Sequence, residues 1–404
     1  IHKMEDIPYL RIGTSYYRKV QVPTINNNFN ETLIKWEQKT IVQDHGRPYL
    51  DKVPKYTGKI CFPNHFEFDK EIHGFYNTYS PLQYEPQTGS VENTMAFFKH
   101  IFGKQFELGL DYFKLLYEKP TQPLPVLCLV SKERGTAKST FLKYLNEVFG
   151  ANMTYLDSNN LSSNFNLDWG NKLLLGMDEA FFQKEEITEK IKYLSTSNKN
   201  KIEAKGKERF EVDFFGKFIM CSNKEDSFIK IDSDETRFWA IKVPKIEKED
   251  VHFLDKLISE IPAFLDFILK RKFATERKTR MWFTTQQIYT PALKKLINNN
   301  RNRVEKELAE ILMSVIDKFE LESVEFTPMD LLNGLNKTRV KTDITQLRQI
   351  LKKDWKLANM KNSLQYRKFT ILSDGDIVLN DSRGRYYSVE KAFLFKNFDE
   401  TMTD

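Results

Sequence analysis

Lys138-Ser139-Thr140 is the part of this chain best suited to chemistry: a cation followed by two hydroxyls, set between an apolar run at residues 126–130 and the amphipathic Phe141-Leu142-Lys143-Tyr144-Leu145. The pattern reads as buried strand, loop and helix start. In such a loop successive backbone N–H groups and the helix N-terminus face phosphates, a lysine reaches the β and γ oxygens, and a hydroxyl holds magnesium. Nucleotide binding therefore falls to Arg134, Gly135, Thr136, Ala137, Lys138, Ser139 and Thr140, with Ser139 also a magnesium ligand. The usual pattern has glycine where Lys132 and Ala137 stand, and Gly135 is the only glycine of the loop. Alanine is disfavoured at the positive φ such loops need. The loop alone is thus equally compatible with a coincidental strand, loop and helix.

Two further apolar runs add to it. Residues 172–177 lead into Asp178-Glu179, and residues 218–221 lead into Ser222-Asn223. Strands buried on both faces of a parallel sheet read this way, and their carboxyl ends are where ligands sit. Asp178 suits magnesium held through water, Glu179 suits a base on the attacking water, and Asn223 offers a neutral amide to the γ-phosphate. Singly, each ending is a strand meeting solvent. In this order, the three read as one site.

This order of loop, Asp-Glu strand and Ser-Asn strand, closed by Asp234-Glu235-Thr236-Arg237-Phe238-Trp239, resembles the superfamily-3 helicase core of the AAA+ class. It most resembles the helicase part of phage, plasmid and mobile-element primase-helicases. The resemblance implies an α/β fold, with an AAA+ P-loop core around a central parallel sheet. It also implies ATP hydrolysis with Mg2+, a ring-forming homo-oligomer, a hexamer in that family, and single-stranded or forked DNA as partner in the host cytoplasm. By the same resemblance Asn223 is the polar sensor and Arg237 the finger that reaches a neighbouring subunit's nucleotide. The segment 202–210 falls where the family has its DNA-contacting hairpin, with Lys205, Lys207 and Arg209 as its cations. Without the resemblance, that segment reads as a solvated charged hairpin and Arg237 as a surface ion pair. Two other functions fit the same residues: a nucleotide-gated initiator or loader without processive unwinding, and a DNA scaffold whose loop binds ATP but turns it over poorly.

The elements around these residues divide the chain. Residues 1–90, rich in Tyr, Phe, Asn and Pro, read as a small mixed or β-rich unit whose aromatics, interleaved with Arg and Lys, could stack nucleic-acid bases but more readily fill its core. Residues 91–124 read as two amphipathic helices parted near Gly103, a collar in the resembled family or simply a pair packed on the ATPase. The core spans 125–275, a helical connector 276–325, and a winged-helix-like module 326–404, in which Thr342 or Asp343 caps a helix and Lys337, Arg339, Lys341, Arg348, Lys352 and Lys353 offer cations to DNA or protein. The basic stretch at residues 270–280 reads as a solvated connector.

Composition sets outer limits. Across 404 residues a formal charge of +6 permits an acidic polymer as partner without requiring one. Three cysteines suggest reduced, buried thiols rather than a disulfide framework. Cys61 and His65 have metal-like spacing but no second pair, so zinc is not expected. No apolar run is long enough to span a bilayer. No carboxylate triad for primase chemistry is visible, so any primase domain lies upstream or on another chain.

Overall fold

The structure is a computed structural model that describes residues 7–23, 29–163, 166–182, 184–202, 210–231, 235–248, 250–300, 303–338, 340, 342–372 and 375–398. Lys205, Lys207, Arg209, Arg339 and Lys341 lie outside these. The chain forms two compact units: Ile1–Lys224 with Arg237–Ile288, and Glu225–Thr236 with Tyr289–Asp404.

The first unit begins with a mixed sheet in the order β3-β2-β1-β4, from β1 (Tyr9–Ile12), β2 (Ser15–Pro23), β3 (Phe29–Trp36) and β4 (Lys55–Tyr56). Tyr9, Leu10 and Ile12 are buried, and Tyr9 meets His45 and Tyr49 edge-on. A smaller sheet follows from β5 (Lys59–Ile60), β6 (Glu71–Ile72) and β7 (Phe75–Asn77).

At the centre is a five-stranded parallel sheet in the order β14-β8-β13-β10-β9, from β8 (Val126–Val130), β9 (Met153–Tyr155), β10 (Leu174–Met177), β13 (Lys217–Ser222) and β14 (Phe238–Lys242). Its central members β8, β13 and β10 are buried along their whole length. That is why their sequences are continuous apolar runs without alternation. Between β10 and β13 come a helix, Glu185–Thr196, and an antiparallel hairpin of β11 (Lys199–Ile202) and β12 (Phe210–Asp213).

Helices α1 (Glu92–Phe102) and α2 (Phe106–Glu118) bury Phe97, Phe98 and Phe113 in the same core as α3 (Lys138–Phe149) and α4 (Ile261–Lys270), where Phe141, Tyr144 and Phe264 meet them. Gly109 makes this approach possible, since a Cβ there would lie 2.4 Å from the Phe102 ring.

The basic stretch after α4 is largely exposed, as expected of a solvated connector, but it is anchored. Asp111, fully buried on α2, accepts from the amides of Ala274 and Thr275, the Thr275 hydroxyl and the Arg271 guanidinium. Trp282 and Phe283 are buried just beyond. A carboxylate without solvent needs that many donors, and they fix the loop.

The second unit carries α5 (Pro291–Asn300), α6 (Arg303–Phe319), a strand Ser323–Phe326, α7 (Pro328–Leu335), α8 (Ile344–Gln349) continued by a π turn to Asp354, and a hairpin of Leu364–Ile371 with Ile377–Gly384. Tyr387–Glu390 pairs back with Ser323–Phe326. Thr327 and Asp330 form a capping box, and Asp343 caps α8 through the amides of Thr345 and Gln346. Leu312, Ile316, Phe326, Leu331, Leu351 and Phe369 fill its core.

Candidate nucleotide-binding site

Strand β8 ends at Val130, and the loop beyond it turns on two left-handed residues, Gly135 at φ 67° and Ala137 at φ 61°. Ala137 immediately precedes α3 and packs partly buried against the core. No side chain caps the first turn of α3, whose earliest intrahelical bond runs from the Phe141 amide to the Ala137 carbonyl at 3.0 Å. The free amides and the dipole of this 12-residue helix therefore face the loop's concavity.

The loop is braced from outside. The Gly135 carbonyl accepts from the Ile246 amide at 3.0 Å, and the Thr136 carbonyl from the His100 Nε2 at 3.2 Å. Lys138 is buried, and its ammonium donates to Thr136 Oγ1 at 2.8 Å, a contact within the loop that an anion would displace. Burial holds its pKa below the ordinary lysine value, opposed by the nearby Asp178 carboxylate.

The facing wall comes from β10 and β13. Glu179 also takes a left-handed backbone, φ 56°, and such a conformation persists only when its surroundings hold it. Here the Ala180 amide donates to the Cys221 carbonyl at 2.7 Å, and the Ser222 hydroxyl to the Ala180 carbonyl at 2.8 Å. The turn tips both acids outward: Asp178 and Glu179 are exposed at the strand end. Beside them the Lys224 ammonium lies 3.1 Å from the centre of the Phe181 ring.

These walls enclose a cavity of about 480 Å³ lined by all seven loop residues from Arg134 to Thr140, with Asp178, Glu179, Cys221, Ser222 and Asn223. It sits outside the carboxyl ends of the parallel strands, the usual position for ligands in such sheets. Ser139 and Asp178 bring a hydroxyl and a carboxylate to it, the hard oxygen donors magnesium takes alongside water. Among the described residues no cluster of three or more His, Cys, Asp or Glu side chains suits a metal, so a magnesium ion here would depend on water and phosphate for its remaining ligands.

Arg237 stands elsewhere. Its carbonyl accepts from the Val126 amide at the start of β8, so it lies at the amino end of the sheet, about 17 Å of strand from the loop. The tip residues Lys205, Lys207 and Arg209 fall outside the described residues. His100 was not legible as a loop support, because its contact with Thr136 spans 36 residues of sequence and leaves no local signature.

Residues 129–237 match a protein family of unknown function, DUF5906. No curated protein matches the chain. Among solved structures, the apo NrS-1 C-terminal region (305–718) aligns over 86% of this chain and 81% of its own, at 17% identity and a TM-score of 0.58. The two share a fold. A second structure of that region, its A form, gives a TM-score of 0.59 over 83% of its chain. The JCV helicase aligns over 57% of this chain and 66% of its own, at 14% identity and a TM-score of 0.30, too loose to inform the fold.

Proposed function

We propose that this chain is an ATP-dependent DNA helicase of a phage or mobile element, working as a ring that moves along single-stranded DNA. The observation that carries this is the convergence of Lys138, Ser139, Asp178, Glu179 and Asn223 on one cavity at the carboxyl ends of the parallel sheet. The NrS-1 likeness supports the fold, and the helicase superfamily enters through the motif resemblance.

In this reading the first-turn amides of α3 and the Lys138 ammonium hold the triphosphate, and Lys138 exchanges its Thr136 contact for a phosphate oxygen. Ser139 and Asp178 hold magnesium, which when bound neutralises phosphate charge. Glu179 accepts a proton from the attacking water, and its fixed turn sets the direction of that carboxylate. Asn223 orients the γ-phosphate or the same water. Arg237, remote from its own cavity, serves the adjacent subunit.

The deciding experiment is magnesium-dependent ATP hydrolysis, with and without single-stranded DNA, on the parent protein and Glu179→Gln. Turnover stimulated by DNA and lowered by about a hundredfold or more in Glu179→Gln is expected, the range for losing a positioned base. Nucleotide bound stoichiometrically with no phosphate released by the parent would overturn it in favour of an ATP-binding DNA scaffold, the reading that Ala137 in place of glycine favours. Strand displacement on a forked substrate then separates a helicase from an initiator or loader.

A further inference from the structure

We propose that a second cavity of the first unit, at the end of the parallel sheet away from the phosphate loop, is a groove for a single strand of nucleic acid. The choice of strand rests on the reading of this chain as a DNA motor. The cavity measures about 940 Å³, against 480 Å³ for the nucleotide site. It lies by the segment entering β8, with the root of the β11–β12 hairpin on its rim.

Its charges favour an anion. Arg277 and Arg280 line it, are exposed, and have no acidic partner among the described residues. Lys119 adds a third cation, its ammonium 4.8 Å from the Trp282 ring centre, a contact that leaves its charge unspent. Of the two acids in the lining, Glu118 is held by Lys114 at 2.5 Å, which leaves Asp213 against three cations, since Lys199 across the hairpin is paired with Glu211 at 2.8 Å. The balance is cationic.

The groove is also pre-formed. Asp111 pins the loop bearing the two arginines, and Gln122 Nε2 donates to the Arg280 carbonyl at 2.8 Å. Phe62, 46% exposed, also lines it, and Phe66, 55% exposed, lies in the same turn just outside the lining, its ring edge-on to Tyr117. The amides of both are tied at 3.0 Å, Phe62 to Asn77 Oδ1 and Phe66 to Asn64 Oδ1. Beneath this turn His65 donates from Nδ1 to the Tyr117 carbonyl and accepts at Nε2 from the Tyr79 hydroxyl, both at 2.7 Å. Exposed rings and exposed arginines about one cavity suit a strand whose bases stack and whose phosphates are gripped. An acidic peptide would use the arginines but not the rings.

The test is equilibrium binding of a fluorescent oligothymidylate across a salt series, comparing the full chain with Arg277→Gln/Arg280→Gln and with Phe62→Ala/Phe66→Ala. All four side chains are exposed, so melting temperatures stay near the parent value. Losing two phosphate contacts should weaken binding about tenfold or more near physiological salt and flatten the slope of log K against log salt by about 1.4. The ring variant should weaken binding at least about fivefold with its slope unchanged. Parent-like affinity and slope in the arginine variant would overturn the groove, as would polyglutamate displacing the oligomer at equal charge concentration, which marks an acidic-protein surface. The two proposals separate cleanly. A parent with DNA-stimulated turnover and arginine variants that bind normally keeps the motor and loses the groove. A parent that binds through these arginines but never hydrolyses ATP keeps the groove and loses the motor.

Discussion

Ala137 and Glu179 hold the candidate nucleotide site in shape by accepting backbone that their side chains disfavour. Ala137 at φ 61° carries about 1–2 kcal/mol of left-handed strain. Ala137→Gly removes that strain but returns about 0.4–1 kcal/mol of freedom to the unfolded chain. Its melting temperature should therefore stay close to the parent's, with nucleotide affinity kept or improved. Ala137→Val, whose branched side chain fits left-handed backbone worse, should melt lower and weaken binding of a fluorescent nucleotide at least about tenfold, following the strain of about 1–3 kcal/mol at such positions. Equal behaviour of the two variants would mean that the loop does not depend on this dihedral. Lys217, buried on an interior strand, is another conflict between residue and place. Its ammonium is buried at the start of β13, donating to the Phe215 carbonyl at 2.6 Å and to the Pro120 carbonyl, and burial pushes its pKa from 10.5 down to about 7. Below pH 7 both folded and unfolded chains carry the proton, and the fold bears the whole cost of a buried charge. Between pH 7 and 10.5 the unfolded chain binds the proton that the folded chain lacks, so stability rises with pH. Lys217→Met should therefore stabilise most at pH 6, with a gain that shrinks toward pH 10 by up to about 1.4 kcal/mol per unit. Denaturant unfolding at pH 6, 8 and 9.5 measures this, and parallel pH dependences for the two proteins would refute it.

At the scale of elements, Asp111 shows what the sequence withholds. The apolar runs of β8, β10 and β13, the helix after the phosphate loop and the 199–213 hairpin follow from local pattern, because burial on both faces and helical periodicity are written in neighbouring residues. Asp178, Glu179 and Asn223 at the strand ends were legible for the same reason. The anchored loop after α4 was not: its charges resemble a solvated link, and the carboxylate that fixes it sits about 160 residues earlier on α2, in a helix where an aspartate reads as surface. Likewise nothing local ties Glu225–Thr236 to the second unit. That tie includes Lys295 with Glu225 at 3.4 Å and Asn299 and Asn300 on the carbonyls of Asp226 and Ile229, contacts some seventy residues apart. Asp111→Ala leaves the amides of Ala274 and Thr275 and one guanidinium nitrogen of Arg271 without their acceptor, while Glu107 keeps the other nitrogen at 2.6 Å. It should destabilise the first unit by about 3 kcal/mol, the range for breaking one side of a buried pair, and open residues 271–280 to trypsin. A protected loop in that variant would show that packing of Trp282 and Phe283 suffices to hold it.

For the whole molecule, the distance between Arg237 and its own phosphate loop is the telling quantity. The arginine immediately precedes β14, the loop follows the end of β8, and the two strands run parallel in register, so a strand's length of core separates them. Any role for Arg237 at a nucleotide must therefore be played on another copy, which a head-to-tail ring supplies, since each interface there joins two different surfaces. Lys138→Ala disables the cavity of its own subunit and Arg237→Ala that of its neighbour, so each variant alone should lose ATP turnover. In a remixed one-to-one population, about a quarter of the interfaces in a head-to-tail ring pair an intact Lys138 with an intact neighbouring Arg237. Turnover should return to about that fraction of the parent rate, provided the subunits exchange before assay. The recovery is specific to a trans arrangement, because an arginine acting within its own chain leaves every subunit of the mixture with one disabled group. Mixing the two proteins with no recovery, under conditions where sedimentation shows a single mixed assembly, would remove Arg237 from the catalytic site and return it to a structural place at the foot of β14.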